Sequence, residues 1–337
     1  MNLSSPTTQA LLTIAIPTYN RATFLDLNLQ KLASEVSALA EIQRKLINIH
    51  ISDNASIDDT TDVIQRYRGM PVNQFDSVRN ETNVGGDANI ALCYQAVGTP
   101  YVWVMGDDDL ILPGGLAKVL DCLAQQDIDV AYLGSYGYQE DYLKPPLFRL
   151  KRTGCKIYDD PLDFARRTSV RLTYISALIV RSGVPLAPHA SLLSGKNLSQ
   201  LGWTFELLIR GKRFAIIRDW IVAGKVENSG GYGFVQVFAI NLQEVATAIL
   251  HNKPRIIEII RNGAILLYFP SAVMRALANK SVSSHDANFS EALRQTFGDN
   301  WRYRLFLHPL LALPFPLARV YHYVITAFIR TFSIWLI

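Results

Sequence analysis

Between Leu11 and about Leu133 the chain alternates short apolar runs with stretches of helical periodicity, and this alternation limits the fold more than any other feature. Short apolar runs are typical of buried strands. Strands that alternate with helices predict βαβ units and a mainly parallel sheet, and hence an α/β fold with flanking helices. We predict strands at 12–16, 47–51, 72–78, 101–105 and 128–133, and helices at 23–38, 57–67, 86–97 and 113–126.

Three consecutive aspartates, Asp107, Asp108 and Asp109, directly follow the predicted strand at 101–105. Their carboxylates therefore emerge at the carboxyl end of a strand, where open α/β sheets bind ligands. Adjacent carboxylates repel one another, and a hard divalent cation with oxygen ligands would neutralise them. An isolated triplet of this kind is more often a solvated acidic turn, but the neighbouring segments favour a ligand site.

Polar or acidic segments follow four successive predicted strands, and each offers small side chains at the edge where a nucleotide docks. They are 16–21 (Ile-Pro-Thr-Tyr-Asn-Arg), 52–60, 83–90 and 106–109. In this order and spacing the segments resemble those of family 2 glycosyltransferases, over about residues 11–133. The Gly-Gly-Asp-Ala-Asn-Ile and Gly-Asp-Asp-Asp stretches are similar to the bacterial O-antigen branch that includes abequosyltransferase-like enzymes.

The resemblance implies a GT-A fold, which is Rossmann-like, with a mainly parallel sheet flanked by helices. We expect this domain at residues 1–233, with a nucleotide-binding half at 11–133 and an acceptor half at 134–233. Residues 234–337 are expected to form a helical, membrane-associating C-terminal region, because helical patterns dominate there.

Several residues of the first loops match family positions that contact the nucleotide. Asp53 matches a carboxylate that hydrogen-bonds the base; the ordinary alternative for this residue is an N-cap or Asx turn at a strand end. The glycines of the third loop permit close approach of the backbone to a ligand. The residues implied in nucleotide binding are Pro17, Thr18, Asn20, Asp53, Asn83, Gly85, Gly86 and Asp107.

The aspartate triplet is similar to the family's metal-binding motif, with one departure. The usual motif is Asp-x-Asp-Asp before a downstream proline, and counting back from Pro113 places Gly106 at the first Asp position. Asp108 then takes the main metal-ligand position and Asp109 follows it, while Asp107 replaces the missing first carboxylate. The resemblance therefore implies Mg²⁺ or Mn²⁺ as cofactor, bound by Asp108 and Asp109.

A second departure concerns the general base. Inverting members carry a Glu-Asp pair near the start of a later helix, but Ser199 and Gln200 stand at that place. The candidate catalytic residues are Glu206, Asp219 and His189. Their ordinary alternatives are a surface charge, a strand-end turn and a loop residue, so the inverting or retaining outcome stays open.

Composition limits the partners and the compartment. The net charge is only +4 and no basic stripe with interleaved aromatics occurs, which argues against nucleic acid. Cys93, Cys122 and Cys155 lack metal-ligand spacing and cannot all pair, which favours a reducing compartment. The polar first residues predict no signal peptide.

The segment at about 301–337 is basic, aromatic and free of Asp and Glu. A spanning helix needs about 20 apolar residues with few charges, whereas histidine, proline and arginine interrupt this segment. We therefore predict that it lies in an anionic membrane interface. A true span, a buried core helix and a helix between protomers of a homo-oligomer are the alternatives.

These features together predict a hexosyl- or deoxyhexosyltransferase that uses a nucleotide-sugar donor. Its expected acceptor is a hydroxyl of a polyprenyl-linked glycan in O-antigen or surface polysaccharide synthesis. The expected location is peripheral, on the cytoplasmic face of the inner membrane. Trp203 and the loop 225–234 are candidate acceptor or lid elements, and core packing is at least as well supported for Trp203. The rivals are a sugar nucleotidyltransferase, which usually has a Gly-rich loop after its first strand, and a non-catalytic nucleotide-binding membrane scaffold.

Overall fold

The computed structural model describes residues 9–146, 153–226, 233–279 and 289–337. By their contacts these residues divide into two compact units. The first unit comprises the described residues up to 160 together with 174–190 and 210–226, and the second comprises 161–173, 191–209 and the described residues from 233 onward. The predicted functional division into 1–233 and 234–337 is not tested by this clustering and stays a prediction.

Nine strands of the described residues form one sheet in the first unit, in the order β3-β2-β1-β4-β8-β6-β9-β5 with β7 beside β9. Their bounds are β1 Leu12–Thr18, β2 Ile47–Asp53, β3 Gln74–Arg79, β4 Tyr101–Val104, β5 Leu110–Ile111, β6 Val130–Tyr138, β7 Cys155–Tyr158, β8 Leu178–Arg181 and β9 Phe214–Lys225.

The α/β prediction is confirmed, and the sheet is mixed rather than mainly parallel. Strands β1, β2, β3 and β4 pair in parallel, as expected for βαβ units. Strand β8 enters antiparallel between β4 and β6, and β5 and β7 both run antiparallel to β9. The direction of these short strands depends on long-range pairing that an apolar run does not encode.

Five helices accompany the described sheet in the first unit: α1 Ala22–Ala38, α2 Glu41–Arg44, α3 Thr60–Tyr67, α4 Gly86–Gln95 and α5 Gly115–Gln125. Two predicted starts are corrected. Helix α3 begins at Thr60 because Asp58 Oδ1 accepts from the Thr60 backbone N–H at 3.2 Å, and Ile57 before it is 90% exposed. Helix α5 begins after Gly114, whose φ of 73° is left-handed, rather than with Pro113 as its first residue.

The second unit is helical. Its helices are α6 Pro161–Thr168, α7 Ala190–Leu193, α8 Gln200–Arg210, α9 Leu242–Ile249, α10 Pro254–Gly263, α11 Phe269–Asn279, α12 Phe289–Phe297, α13 His308–Ala312 and α14 Phe315–Leu336. One described helical stretch, Pro254–Ala278, is long and apolar enough to cross a membrane by length and composition, but 67% of its apolar window is buried inside the structure.

A disulfide joins Cys122 on α5 to Cys155 on β7, and Cys93 is buried and free. The sequence did not predict this pairing, and the reducing compartment stays a prediction. Strand β7 was not predicted from the sequence, and it is this strand that brings Cys155 beside α5. Burial raises the pKa of the Cys93 thiol to about 12, so this thiol is inert.

Candidate functional site

The loops that follow β1, β2 and β4 meet at one edge of the sheet, because these strands are parallel neighbours. The register pairs Thr18 with Asp53, and Asp53 with Arg79, so the strand ends are level. The aspartate triplet follows β4 at this same edge. The fold thus brings together the segments that the sequence indicated as a ligand site.

Asp107 and Asp108 share one arginine. Asp107 is 3% exposed and its Oδ2 accepts a hydrogen bond from Thr18 Oγ1 at 2.8 Å. Arg21 Nη1 lies 3.1 Å from Asp107 Oδ1, and Arg21 Nη2 lies 2.6 Å from Asp108 Oδ2. The guanidinium also lies over the Phe24 ring, 4.9 Å from its centroid. The sequence did not predict this role for Arg21, although its place directly after Asn20 was the available signal.

The two carboxylates of Asp107 and Asp108 are balanced by the single positive charge of Arg21. Burial raises the pKa of Asp107 to about 7, the Asp108 charge adds to the rise, and Arg21 and Thr18 oppose it only in part. Burial opposes the charge of Arg21, but the carboxylates of Asp107 and Asp108 outweigh burial and raise the pKa of the guanidinium above its usual value. The site therefore favours a further cation.

Asp109 faces a different set of donors. Ser176 Oγ donates to its Oδ2 at 2.5 Å, and the Lys225 backbone N–H donates to its Oδ1 at 3.1 Å. The Ser176 hydroxyl also accepts from the Gly106 backbone N–H at 2.8 Å. Burial and the charge of Asp108 raise the pKa of Asp109. Ser176, which the sequence did not single out, thus fixes the chain on both sides of Asp108.

The donor set fits a hard divalent cation held by few protein ligands. Asp107 and Asp108 present oxygen atoms to a position where a guanidinium supplies positive charge. No group of three or more His, Cys, Asp or Glu side chains forms a ready cage within the described residues. Mg²⁺ is usually bound by one or two carboxylates together with substrate phosphates, which agrees with this arrangement. Asp109, in contrast, would have to release its present donors to become a ligand.

Asp53 is almost fully buried, at 2% exposure, and has partners on both oxygens. Its Oδ1 accepts from the Ser56 backbone N–H at 2.9 Å, which is the Asx turn that the sequence offered as the ordinary alternative. Its Oδ2 lies 2.8 Å from Arg79 Nη1. A carboxylate fixed in this way is rigidly placed at the ligand edge, while its contact with a nucleotide base stays a prediction.

The first two loops are tied together by Asn20. This residue has a left-handed φ of 51°, its backbone N–H donates to Ser56 Oγ at 2.8 Å, and its Oδ1 accepts from the Ile57 backbone N–H at 2.7 Å. Asparagine tolerates this region better than most residues. Pro17, near the end of β1, lies opposite Ser52 of β2.

The second and third loops are tied by a pair of asparagines. Asn54 Nδ2 donates to Asn83 Oδ1 at 2.7 Å, and Asn54 Oδ1 accepts from the Val84 backbone N–H at 3.0 Å. Gly85 has a φ of 87°, a conformation that favours glycine, and Gly86 opens α4 at a place where an added Cβ would meet no heavy atom within 4 Å. The helix start therefore leaves free space around its backbone.

The three candidate bases have different surroundings. Asp219 on β9 accepts from Lys118 Nζ at 2.8 Å and from the Gly154 backbone N–H at 2.7 Å, and these donors help hold its pKa below the usual value although burial opposes them. His189 ends a short 3-10 turn of the first unit. Glu206 lies on α8 in the second unit. Asp219 thus has fixed donors on both oxygens, and the choice among the three candidate bases stays a prediction.

The remaining predicted elements have mixed outcomes. Gln200, at the place of the missing acidic pair, is buried and donates from Nε2 to the Thr173 carbonyl oxygen at 2.6 Å. Trp203 is 1% exposed and belongs to a packed core rather than to an open sugar-binding face. Most of the predicted lid loop, residues 227–232, lies outside the described residues.

A family model and two curated proteins that are similar to this chain all describe glycosyltransferases. The family model described as Glycosyl transferase family 2 matches residues 13–174. Abequosyltransferase RfbV from Salmonella typhimurium is 28% identical over 180 residues, which cover 51% of this chain and 53% of that protein. Validoxylamine A glucosyltransferase from Streptomyces hygroscopicus is 42% identical over 57 residues, or 17% of this chain and 12% of that protein. The matches thus span about half or less of these curated relatives.

Solved structures share the fold over nearly the whole chain. S. aureus TarS in complex with UDP has a TM-score of 0.60 at 17% identity, covering 96% of this chain and 91% of that chain. The mannosyltransferase PcManGT from Pyrobaculum calidifontis, in complex with GDP-Man and Mn²⁺, has a TM-score of 0.51 at 16% identity and covers 96% and 88%. At such identities the likeness establishes the architecture alone.

Proposed function

We propose that the chain transfers a sugar from a nucleotide-sugar donor to a hydroxyl of a lipid-linked glycan, because residues 13–174 match the family 2 glycosyltransferase model. The observation that carries the proposal is the pair of buried or half-buried carboxylates, Asp107 and Asp108, at the ligand edge of the sheet. Their need for positive charge suits a site that receives a diphosphate together with a divalent ion.

Each loop at this edge has a separate task in the proposal. Asp53 accepts a hydrogen bond from the base, and the rigid Asn20 and Asn54 contacts keep the first three loops in register for the ribose. Gly85 and Gly86 let the backbone come close to the nucleotide. Orientation of the donor by these fixed groups lowers the entropic cost of the reaction.

Mg²⁺ or Mn²⁺, when bound, would stabilise the negative charge that grows on the leaving diphosphate. Asp108 is the residue we assign to hold the ion, and Asp107 is its nearest partner. Asp109 remains a candidate ligand, but its contacts with Ser176 and Lys225 favour a positioning role. Glu206, Asp219 or His189 would take the proton from the acceptor hydroxyl as general base.

We assign the acceptor and the location by chemistry and by the relatives. The abequosyltransferase relative supports transfer of a hexose or deoxyhexose in O-antigen synthesis. The acid-free, basic and aromatic segment 301–337 supports peripheral binding to the cytoplasmic face of the membrane, where a polyprenyl-linked acceptor would be found. Peripheral binding leaves the described Pro254–Ala278 helix, which is mostly buried, as part of the core.

Calorimetric titration with UDP, GDP, CDP and dTDP, with and without Mn²⁺, tests the proposal. We expect one nucleotide to bind in a metal-dependent way, and Asp108→Ala to abolish that dependence. The matched control is Asp62→Ala, which removes an exposed carboxylate from α3 and should leave binding unchanged.

The outcomes separate the rival functions. Metal-dependent binding followed by slow donor hydrolysis, lost in Asp108→Ala, supports the transferase. Binding without any hydrolysis or transfer would instead favour the non-catalytic scaffold. If no nucleotide binds under either condition, the aspartates are structural and the proposed function is wrong.

A further inference from the structure

The second unit contains an arginine-rich cavity that the proposed catalytic function does not use. It has a volume of about 730 Å³ and is lined by residues of α6 and α10, by Arg302 and by Ile337. Its basic lining residues are Arg166, Arg167, Arg255 and Arg302, and its acidic ones are Asp163 and Glu258. Four arginines against two carboxylates give the lining side chains a net charge of +2.

The cavity is anchored to the end of α14. Arg302 Nε donates a hydrogen bond to the Leu336 carbonyl oxygen, and Asn262 Nδ2 donates to the Ile337 carbonyl oxygen at 3.4 Å. Asn262 Oδ1 in turn accepts from Asn300 Nδ2 at 2.8 Å, and both amides are buried. These contacts hold the last turn of α14 against the cavity, so the two features act as one surface.

The start of α10 adds positive potential to the cavity. Pro254 and Arg255 occupy the first positions of this ten-residue helix and both line the cavity. The first N–H groups of a helix carry partial positive charge and favour anions. Arg255 is exposed, and no hydrogen bond or ion pair engages it within the described part of the chain. An anion in the cavity would therefore meet a cationic group without an existing partner.

An exposed apolar stripe runs along α14 toward the same place. Its members recur at intervals of three and four residues, so they lie on one helix face. They are Leu317, Val320, Val324, Phe328 and Phe332, all at least 44% exposed. Phe328 stacks on Phe306 at 6.1 Å, and the exposed Trp301 lies beside Phe306. The apolar surface thus continues from α14 onto the segment that holds Arg302.

Two arginines occupy the opposite side of α14. Arg319 and Arg330 are both exposed and stand eleven residues apart, which is about three helical turns, so they project from one side of the helix. At 3.6 residues per turn this side lies roughly 150° around the helix from the middle of the stripe. Separate apolar and basic faces are typical of an amphipathic helix in a membrane interface, with the apolar face toward the acyl layer and the basic face toward water and headgroups.

We propose that the arginine-rich cavity binds the phosphate group of an anionic membrane lipid while the apolar stripe of α14 lies in the acyl layer. The inference rests on the proposed membrane-surface location of the C-terminal segment, and it adds a defined headgroup site to it. A soluble phosphate would not require the stripe that ends at the cavity. A second copy of the chain would bring like charges together, because the segment after Asp299 has no acidic side chain.

Co-sedimentation of the full chain with vesicles tests the site. The vesicles contain phosphatidylcholine alone, or phosphatidylcholine mixed with phosphatidic acid or with phosphatidylglycerol at equal negative charge. The variant Arg166→Gln/Arg255→Gln changes two exposed cavity residues, and Arg66→Gln/Arg68→Gln on the surface of the first unit removes the same charge. We expect about a thirtyfold loss of affinity for phosphatidic acid vesicles, about fivefold for each cavity arginine, and little change for the control.

A defined phosphate site should also prefer phosphatidic acid, with its exposed phosphate, over phosphatidylglycerol. Vesicles with polyprenyl phosphate identify the source: a gain confined to them assigns the site to the acceptor carrier, and a gain with phosphatidic acid as well assigns it to phospholipid headgroups. The proposal is overturned if the cavity variant binds anionic vesicles like the control variant, or if wild type ignores vesicles and forms a dimer. Nucleotide binding measured on the same samples reports separately on the proposed catalytic function.

Discussion

The Arg21 guanidinium lies between the carboxylates of Asp107 and Asp108, where a divalent metal ion would bind. Replacing Arg21 should therefore open this position to the metal ion. We predict that Arg21→Met binds Mn²⁺ more tightly than wild type when no nucleotide is present. The reason is competition: in the wild type an incoming ion has to displace the guanidinium from both carboxylates. Methionine keeps the length and apolar contact of the side chain, including the approach to Phe24, but has no charge.

The size of the effect follows from two contacts. They join Arg21 Nη1 to Asp107 Oδ1 at 3.1 Å and Arg21 Nη2 to Asp108 Oδ2 at 2.6 Å. A hydrogen bond to a charged group contributes about 1.5–3 kcal/mol. Because the arginine side chain is 30% exposed, water screens the pair and we take about 1 kcal/mol for each contact. Removing both should tighten Mn²⁺ binding by at most about 2 kcal/mol, or about thirtyfold, because without Arg21 the pKa of Asp107 rises further and its proton competes with the ion.

Electron paramagnetic resonance titration of free Mn²⁺ at pH 8 measures this affinity without any turnover. The matched control is Arg66→Met, which breaks the exposed ion pair with Asp26 at 3.0 Å and should not change Mn²⁺ binding. If Arg21→Met binds Mn²⁺ no more tightly than the control, the guanidinium does not compete with the ion, and our account of the carboxylate pair is wrong.

Three further predictions address the carboxylates, the glycine loop and the disulfide. The raised pKa of Asp107 means that its protonated form stabilises the fold, so this contribution is complete below about pH 4 and is lost as the pH rises through about 7. In urea unfolding, Asp107→Asn should therefore be more stable than wild type by about 2 kcal/mol at pH 8 but not at pH 4. Gly86→Ala should leave the free energy of unfolding unchanged or raise it by about 0.5–1 kcal/mol, because an added Cβ meets nothing within 4 Å. The same variant should weaken nucleotide binding measured by calorimetry. The control Gly98→Ala, where an added Cβ also meets nothing within 4 Å, should not affect binding. Reduction of Cys122–Cys155, which closes a loop with a sequence separation of 33, should lower stability by about 4 kcal/mol in calorimetric unfolding; an unchanged transition would show that the bond does not restrain the unfolded chain.

The part of the fold built from β1 to β4 and their helices could be predicted from the sequence because its information is local. Strands such as Leu12–Thr18 and Ile47–Asp53 are rich in β-branched apolar residues, and their order along the chain with intervening helices leaves few topologies. The site segments follow directly, since carboxyl ends of parallel strands meet at one edge. Prediction fails for β5, which has two residues, and for β7, whose partner β9 is far along the chain.

The details of the site depended on contacts that no local pattern encodes. The pairing of Arg21 with Asp107 and Asp108 spans more than eighty residues, and Ser176 reaches Asp109 from a segment without a recognised motif. Trp203 has the side chain of a sugar-binding residue, but its position on the buried face of α8 excludes that use in the described structure. The residue types alone are compatible with both a binding role and a structural role for these side chains. The tertiary contacts distinguish the two roles.

The carboxylate cluster connects the stability of the first unit with its proposed task. Burial and mutual repulsion make the ionised forms of Asp107 and Asp109 costly, as their raised pKa values indicate. Asparagine at either position would keep the size of the side chain and one acceptor oxygen while removing this cost. A site selected for stability alone would therefore not keep three adjacent aspartates. A divalent ion with a nucleotide diphosphate would turn the unfavourable charge into binding energy, so the cost of clustering these carboxylates is an argument for the ligand that we propose.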